Sequence, residues 1–290
     1  MPAGGGSAPS ASRRRDRLGG SEFRLRAISG VILAVAVVAA LFIGGWPFAL
    51  VWLVAGIVGA AEWIAMSRLA PGRGLLAVTV AALIGLVICA RLEAPLLASA
   101  LLVIAASAVL VVLAKGITSR LQAVVGLLGA SVIAVVPSAL RDDPGIGVLG
   151  PAWMFAVVWS TDVVAYITGR MIGGPKLMPR VSPNKTWSGS LGGLSAGIIA
   201  GTSLVLVARA QGWSALAETS LILVALASAL ASISSQAGDL AESALKRHWG
   251  VKDSGRSIPG HGGVMDRLDG FFAVAVLAGL YLVARRIAAA

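Results

Sequence analysis

Nine long apolar runs constrain what this chain can fold into more than anything else in it. A helix rises about 1.5 Å per residue and the hydrocarbon core of a bilayer is about 30 Å thick, so one crossing needs roughly 17 to 25 mostly apolar residues. The stretches that qualify lie near Ile28 to Gly44, Trp46 to Met66, Gly74 to Ala90, Ala94 to Ala114, Leu121 to Leu140, Val148 to Thr168, Gly189 to Ala208, Ser214 to Ser234 and Phe271 to Ala284. The third and ninth are short, which leaves their boundaries open. The fold class that follows is all-α, a polytopic helical membrane protein of about nine transmembrane helices.

Composition agrees, since 57% of the 290 residues are hydrophobic and only 13% are charged, outside the range of soluble domains. A formal net charge of +11 would suit a nucleic-acid partner. The basic residues, however, lie in loops between apolar runs and not on one soluble face, so no nucleic acid is expected. The single cysteine, Cys89, sits inside an apolar run and excludes an intrachain disulfide framework or a Cys-rich metal site. Residues 1–27 read as a disordered, basic cytosolic tail without the apolar centre of a cleavable signal. Residues 28–290 then form a single integral membrane domain, of which 160–270 is the motif-bearing part.

Loop charge sets the orientation, because Lys and Arg are retained on the cytoplasmic side during insertion. A cytosolic N-terminus leaves only Arg91, Arg141, Arg209, Arg285 and Arg286 of the 24 basic residues outside. The last two fit poorly there, and a re-entrant ninth segment would remove the difficulty. Trp46, Trp153, Trp187 and Trp213 fall at span ends, as interface anchors should. Gly189, Gly192, Gly193 and Gly197 in the seventh span permit close helix contact in lipid.

Two polar loops remain, both expected in the cytosol: one from Gly169 to Ser188 and one from Ser235 to Gly270. Gln236 to Arg247 contains no breaker after Gly238 and predicts a helix with Asp239, Glu242, Ser243 and Lys246 on one face. Pro259-Gly260-His261-Gly262-Gly263 can adopt positive φ, exposes backbone N–H groups and leads into a helix start at Val264, which is hardware for an anion. Asp266 and Asp269 follow three apart, with Arg267 between them. Carboxylates beside phosphate-binding groups make sense mainly if a hard cation such as Mg²⁺ bridges the two. The first loop contributes Arg170, Lys176, Arg180 and Lys185, with Ser182-Pro-Asn-Lys185-Thr186 as its polar centre. Asp162 lies inside the sixth span, and an ionised group there usually has a task. Glu62 and Glu218 lack a surrounding motif and are read as structural. Together these features point to phosphoryl or nucleotidyl transfer at the cytosolic ends of the spans.

From Ser243 to Asp269 the chain reads S-x-x-K-R-x4-K-D-x-G-x2-I-P-x-H-G-G-x2-D-R-x-D. This resembles the signature of the phosphatidate cytidylyltransferases, the CDP-diacylglycerol synthases, along its whole length. QAGDLAESALKR, STDVVAYITGR and SPNKT also resemble that family, so the likeness covers about Ser160 to Gly270. The N-terminal half matches only as a series of spans. One departure is Ser188, where the family commonly has an acid.

The resemblance implies a bacterial-type inner-membrane enzyme, a homodimer, that condenses CTP with phosphatidate from the surrounding lipid to give CDP-diacylglycerol and pyrophosphate. It implies Mg²⁺, with K⁺ as a companion, held by Asp239 and Asp266 and, further off, by Asp162 and Asp269. Lys246 and Arg267 join these as catalytic candidates. Ser182, Lys185, Thr186, Ser243, Arg247, Lys252, Asp253, Gly260, His261, Gly262 and Gly263 are the candidates for substrate contacts. Two alternatives are a CTP-dependent polyprenol or phytol kinase and a transporter for an anionic solute. Against the transporter, the polar residues concentrate in loops on one side and not at broken helices near the midplane.

Overall fold

The computed structural model describes residues 29–213, 219–258 and 262–288. Within them α1 (Ser29–Ile43) is followed by α2 (Gly45–Met66), α3 (Gly72–Arg91), α4 (Leu96–Leu113), α5 (Ile117–Asp142), α6 (Leu149–Ile172), α7 (Trp187–Ala210), α8 (Leu221–His248) and α9 (Met265–Ala288). α2 to α9 are long and apolar enough to cross a membrane. The protein is an all-α polytopic membrane protein. Each expected run corresponds to one helix, although α1 is described over only 15 residues. The expected tail, residues 1–27, and the expected start of the eighth run at Ser214, with Glu218, lie outside the described residues.

The centre of the bundle is aromatic. Trp52 of α2 stacks on Phe271 of α9 with centroids 4.8 Å apart, and Phe155 of α6 stacks on Phe271 at 5.5 Å. Phe48, Met154, Val157 and Val274 are fully buried around them. A second cluster, with Leu75, Leu110 and Leu127 at its core, joins α3, α4 and α5.

α6 and α7 approach more closely than Leu-lined helices could. A Cβ on Gly189 would lie 2.7 Å from Ala165 O, and one on Gly193 would lie 2.7 Å from Thr161 O. Gly197 faces Thr161 and Ser232, which hydrogen-bond to each other at 2.8 Å. The glycine face of the seventh span is therefore a packing seam, where small residues let backbones meet in the absence of a hydrophobic driving force.

Three differences from the sequence reading have plain causes. Residues 173–186 are not simple loop: β1 (Lys176–Met178) and β2 (Ser182–Thr186) pair antiparallel, Lys176 opposite Thr186 and Met178 opposite Ser182. Thr186 then caps α7, its Oγ1 accepting Gly189 N–H at 3.1 Å. Trp153 is no interface anchor, because its indole N–H turns inward to Ser228 Oγ at 3.0 Å. Finally, α9 starts six residues before the apolar run, since its polar first turns find partners inside the protein. Arg285 near its end meets Asp143 Oδ1, between α5 and α6, at 2.8 Å. That contact pairs the charge of Arg285, and α9, like α2 to α8, is long and apolar enough to cross a membrane.

Candidate active site

α8 outlasts its apolar part by nearly four turns, and this extension, the start of α9 and the β-hairpin come together at one end of the bundle. Two glycines let α8 and α9 cross closely. A Cβ on Gly238 would lie 2.7 Å from Asp269 O, and one on Gly270 would collide with Ser235 Oγ. The neighbours of these glycines in sequence, Asp239 and Asp269, are thereby brought within electrostatic reach of each other, and Asp162 of α6 and Glu242 stand within reach of Asp269 as well.

Two lysines bind this acidic group from different elements. Lys185 of β2 places its Nζ on Asp239 Oδ2 across 54 positions of sequence, and Ser243 Oγ approaches Asp239 Oδ1 at 3.5 Å. Lys246 Nζ donates to Asp266 Oδ1 at 2.7 Å and forms an ion pair with Glu242 Oε1 at 3.2 Å. Asp239 and Lys185 are each about a third exposed at the side chain, whereas Lys246, Glu242 and Asp266 are nearly enclosed. Lone acids at such depth are costly, and paired charge is the usual way to keep them.

Asp266 carries the most bonds. Its Oδ2 accepts Ser254 N–H at 2.9 Å, Ser254 Oγ at 3.0 Å and Gly263 N–H at 2.8 Å. Gly262 (φ +84°) passes so close that a Cβ there would lie 2.9 Å from Asp266 Oδ2. At the described end of the Gly-rich turn, the N–H groups of Gly263 and of the following Val264 and Met265 point at carboxylates of this chain. The physical reason is that amides at a helix start take the nearest negative charge, and two acids are already there. Gly260 and His261 lie outside the described residues.

The remaining expected residues fall into two groups. Ser182, Lys185 and Thr186 are on β2, but Thr186 is buried and occupied as the α7 cap. Ser188, in the place of an acid, pairs with Thr186 Oγ1 at 3.0 Å and donates to Gly173 O, a local brace. Arg247, Lys252, Asp253 and Arg267 are exposed around the rim. Asp162 is exposed on α6, near Lys185 and Asp239. The sequence reading missed Ser254, which links the loop to Asp266, and the reach of Glu62, a buried α2 acid that accepts four hydrogen bonds from the same loop and the first residue of α9. Its only signal was an acid inside an apolar span.

The donor set is oxygen-only, which suits a hard cation such as Mg²⁺ and not Zn²⁺. Asp239, Glu242 and Asp266 meet two lysines, Lys185 and Lys246, with Asp162 and Asp269 near the same group. Among the described residues no three His, Cys, Asp or Glu side chains are gathered tightly enough to ligate one ion by themselves. A hard cation held here would need oxygens from outside the chain besides these carboxylates.

The comparisons with known proteins point to one family. The chain is 51% identical over 158 residues to a phosphatidate cytidylyltransferase of Brucella abortus biovar 1, covering 54% of each chain. It is 44% identical over 133 residues to one of Staphylococcus haemolyticus, 45% of this chain and 48% of the relative. With one of Staphylococcus saprophyticus the identity is 38% over 171 residues, 59% of this chain and 63% of the relative. The chain spans about half the length of the curated Brucella relatives it matches. The model of the cytidylyltransferase family, in contrast, matches residues 24–284, nearly all of the helical bundle, and the chain therefore belongs to the cytidylyltransferase family.

Proposed function

We propose that this chain is a CTP:phosphatidate cytidylyltransferase, which condenses CTP and phosphatidate to CDP-diacylglycerol and pyrophosphate for phospholipid synthesis. The observation that carries the reading is the meeting of the Lys185–Asp239 and Lys246–Asp266 pairs at one end of a membrane-spanning bundle. It supports a site at the interface between lipid and water, where acyl chains stay in the leaflet while a nucleotide arrives from solution. The charge bias of the loops supports a cytosolic location for this end in an inner, cytoplasmic-type membrane. A homodimer is part of the same proposal.

The reaction joins a phosphomonoester of about −1.5 to −2 charge to an anionic triphosphate, so repulsion is the first obstacle. A phosphatidate oxygen attacks the α-phosphorus of CTP in line. The new P–O bond forms as the bond from the α-phosphorus to the bridging oxygen breaks, and pyrophosphate leaves with that oxygen. No strong base is needed, because the nucleophile is already ionised. Lys246, Arg247, Lys252 and Arg267 hold triphosphate oxygens, and Lys185 with Ser182 and Ser243 orients the lipid phosphate beside Asp239. We assign Asp239, Asp266, Asp162 and Asp269 to Mg²⁺, with K⁺ as companion, where the cation would screen the triphosphate and the developing charge on pyrophosphate.

The test is a detergent-solubilised assay with α-labelled CTP, phosphatidate and Mg²⁺. Label in CDP-diacylglycerol with release of pyrophosphate is expected. Release of CDP with the γ-phosphate in lipid, or no transfer without a vesicle gradient, would overturn the reading.

A further inference from the structure

One buried acid has no part in the chemistry above. Glu62, near the end of α2, is 5% exposed and far in sequence from everything it meets. Its Oε1 accepts Ser257 Oγ at 2.5 Å and Val264 N–H at 2.9 Å. Its Oε2 accepts Ser254 Oγ at 3.2 Å and Met265 N–H at 2.9 Å. Each oxygen takes two donors: three come from the segment between α8 and α9, and the fourth from Met265, the first residue of α9. Two glycines of that segment stand against the same carboxylate: a Cβ on Gly255 would lie 2.7 Å from Oε1, and one on Gly263 would lie 2.7 Å from Oε2. The loop is shaped around Glu62.

The adjacent Trp63 holds the other end. It meets Trp249, just past α8, edge to face at 5.1 Å, and donates its indole N–H to Gln122 O at 2.8 Å. One turn of α2 thus fixes where the connecting segment leaves α8 and where it enters α9. Ser254 ties this anchor to the site, since its Oγ lies between Glu62 Oε2 and Asp266 Oδ2, at 3.2 and 3.0 Å. A hydroxyl has a single proton, so the two carboxylates share one donor and their positions are interdependent. Asp266 in turn holds Lys246.

We propose that Glu62 is a positioning residue: it sets the conformation of residues 254–258 and 262–265 and, through Ser254, the placement of Asp266 and Lys246, without touching substrate. This rests on the cytidylyl-transfer reading above. A carboxylate is required because four donors converge on two acceptor oxygens. Glutamine keeps the volume but turns an NH₂ group onto a backbone N–H, Val264 or Met265, which is repulsive, and forces the serine hydroxyl beside it to reverse from donor to acceptor.

Glu62→Gln and Glu62→Asp in the full chain test this, with initial rates, backbone amide hydrogen exchange and thermal unfolding as readouts. Glu62→Gln is expected to lower kcat about 100-fold, the scale of a misplacement of about 1 Å, with KM for CTP within about threefold of the parent. Exchange at the Val264 and Met265 amides should rise about tenfold, while the α8 amides from Val224 to Ala231 keep their protection. Glu62→Asp, which retains both oxygens, should recover about tenfold of the lost kcat. Near-parental kcat in Glu62→Gln, a loss appearing only in KM, or equally faster exchange throughout α8 would overturn the proposal. If the parent chain transfers no label, the cytidylyl-transfer reading fails by itself. Unchanged exchange at Val264 and Met265 in Glu62→Gln would then overturn the loop anchor separately.

Discussion

The two ends of the bundle use charge differently. At the end carrying Asp142 and Asp143, each acid meets one arginine: Arg91 pairs with Asp142 and Arg285 with Asp143, and Arg91 and Arg285 also lie over Trp46 and Tyr281 at 5.7 and 5.8 Å. Arg141 donates to Leu41 O at 3.1 Å, which ties α5 to α1. At the other end Lys246 bridges two acids, Asp266 binds four donor groups from three residues besides its helix neighbours, and the acids outnumber the lysines. One-to-one pairs near solvent close off helix ends and contribute little else, because water and salt screen them. A shared cluster, by contrast, draws its charges from several elements at once. Of two polar ends with similar residue types, only the second gathers acids and lysines from α8, α9 and the β-hairpin into one group.

That contrast can be broken by experiment, beginning with the largest effect. Chelation of divalent cations with EDTA should reduce label transfer from CTP to background, and added Mg²⁺ should restore it; transfer that persists in EDTA would remove the cation from the acidic end. Asp266→Asn should leave the protein folded in membranes and lower transfer by about 1,000-fold, because it removes charge from the point where Lys246, Ser254 and Gly263 converge. Near-normal turnover would return Asp266 to a purely structural role. Arg267→Ala should cost about tenfold, mainly in KM for CTP or phosphatidate, as expected of an exposed rim cation. Smallest is Arg285→Ala at the opposite end: transfer within about twofold of the parent and a stability change under about 1 kcal/mol by denaturant titration, since Arg285 is 44% exposed at its side chain. A large loss of activity there would mean that the two ends are coupled and the division drawn here is wrong.

Part of the site was legible because its spacing is local. Asp239, Ser243 and Lys246 fall on one face of any helix through them, and α8 is that helix. The small-residue seam on α7 was equally readable, and two of its glycines, Gly189 and Gly193, do lie against α6 backbone oxygens. Contacts between distant segments were not legible. Nothing in β2 says that Lys185 will reach Asp239, and nothing around Glu62 says that a loop and helix start about 200 positions later will bring it four donors. Nor could the Gly-rich turn announce where its last amides go: Gly263 N–H turns to Asp266, and the next one, Val264 N–H, to Glu62. Trp153 looked like an interface anchor until Ser228, 75 positions away, supplied its partner.

What the sequence alone determined is the helical, membrane-spanning character of the chain and nearly all of its crossings. Transfer of an apolar run into hydrocarbon depends on the composition of that run and on hydrogen bonds made within it, both local properties. The tertiary structure alone decided which charges meet. Whether an acid becomes half of an outer ion pair, a loop anchor or part of a reactive cluster depends on the crossings of α6, α8 and α9, and glycines such as Gly238 and Gly270 set these by letting backbones approach. Burying a charge is tolerated only where such crossings supply partners, and partners from distant segments are a property of the assembled bundle.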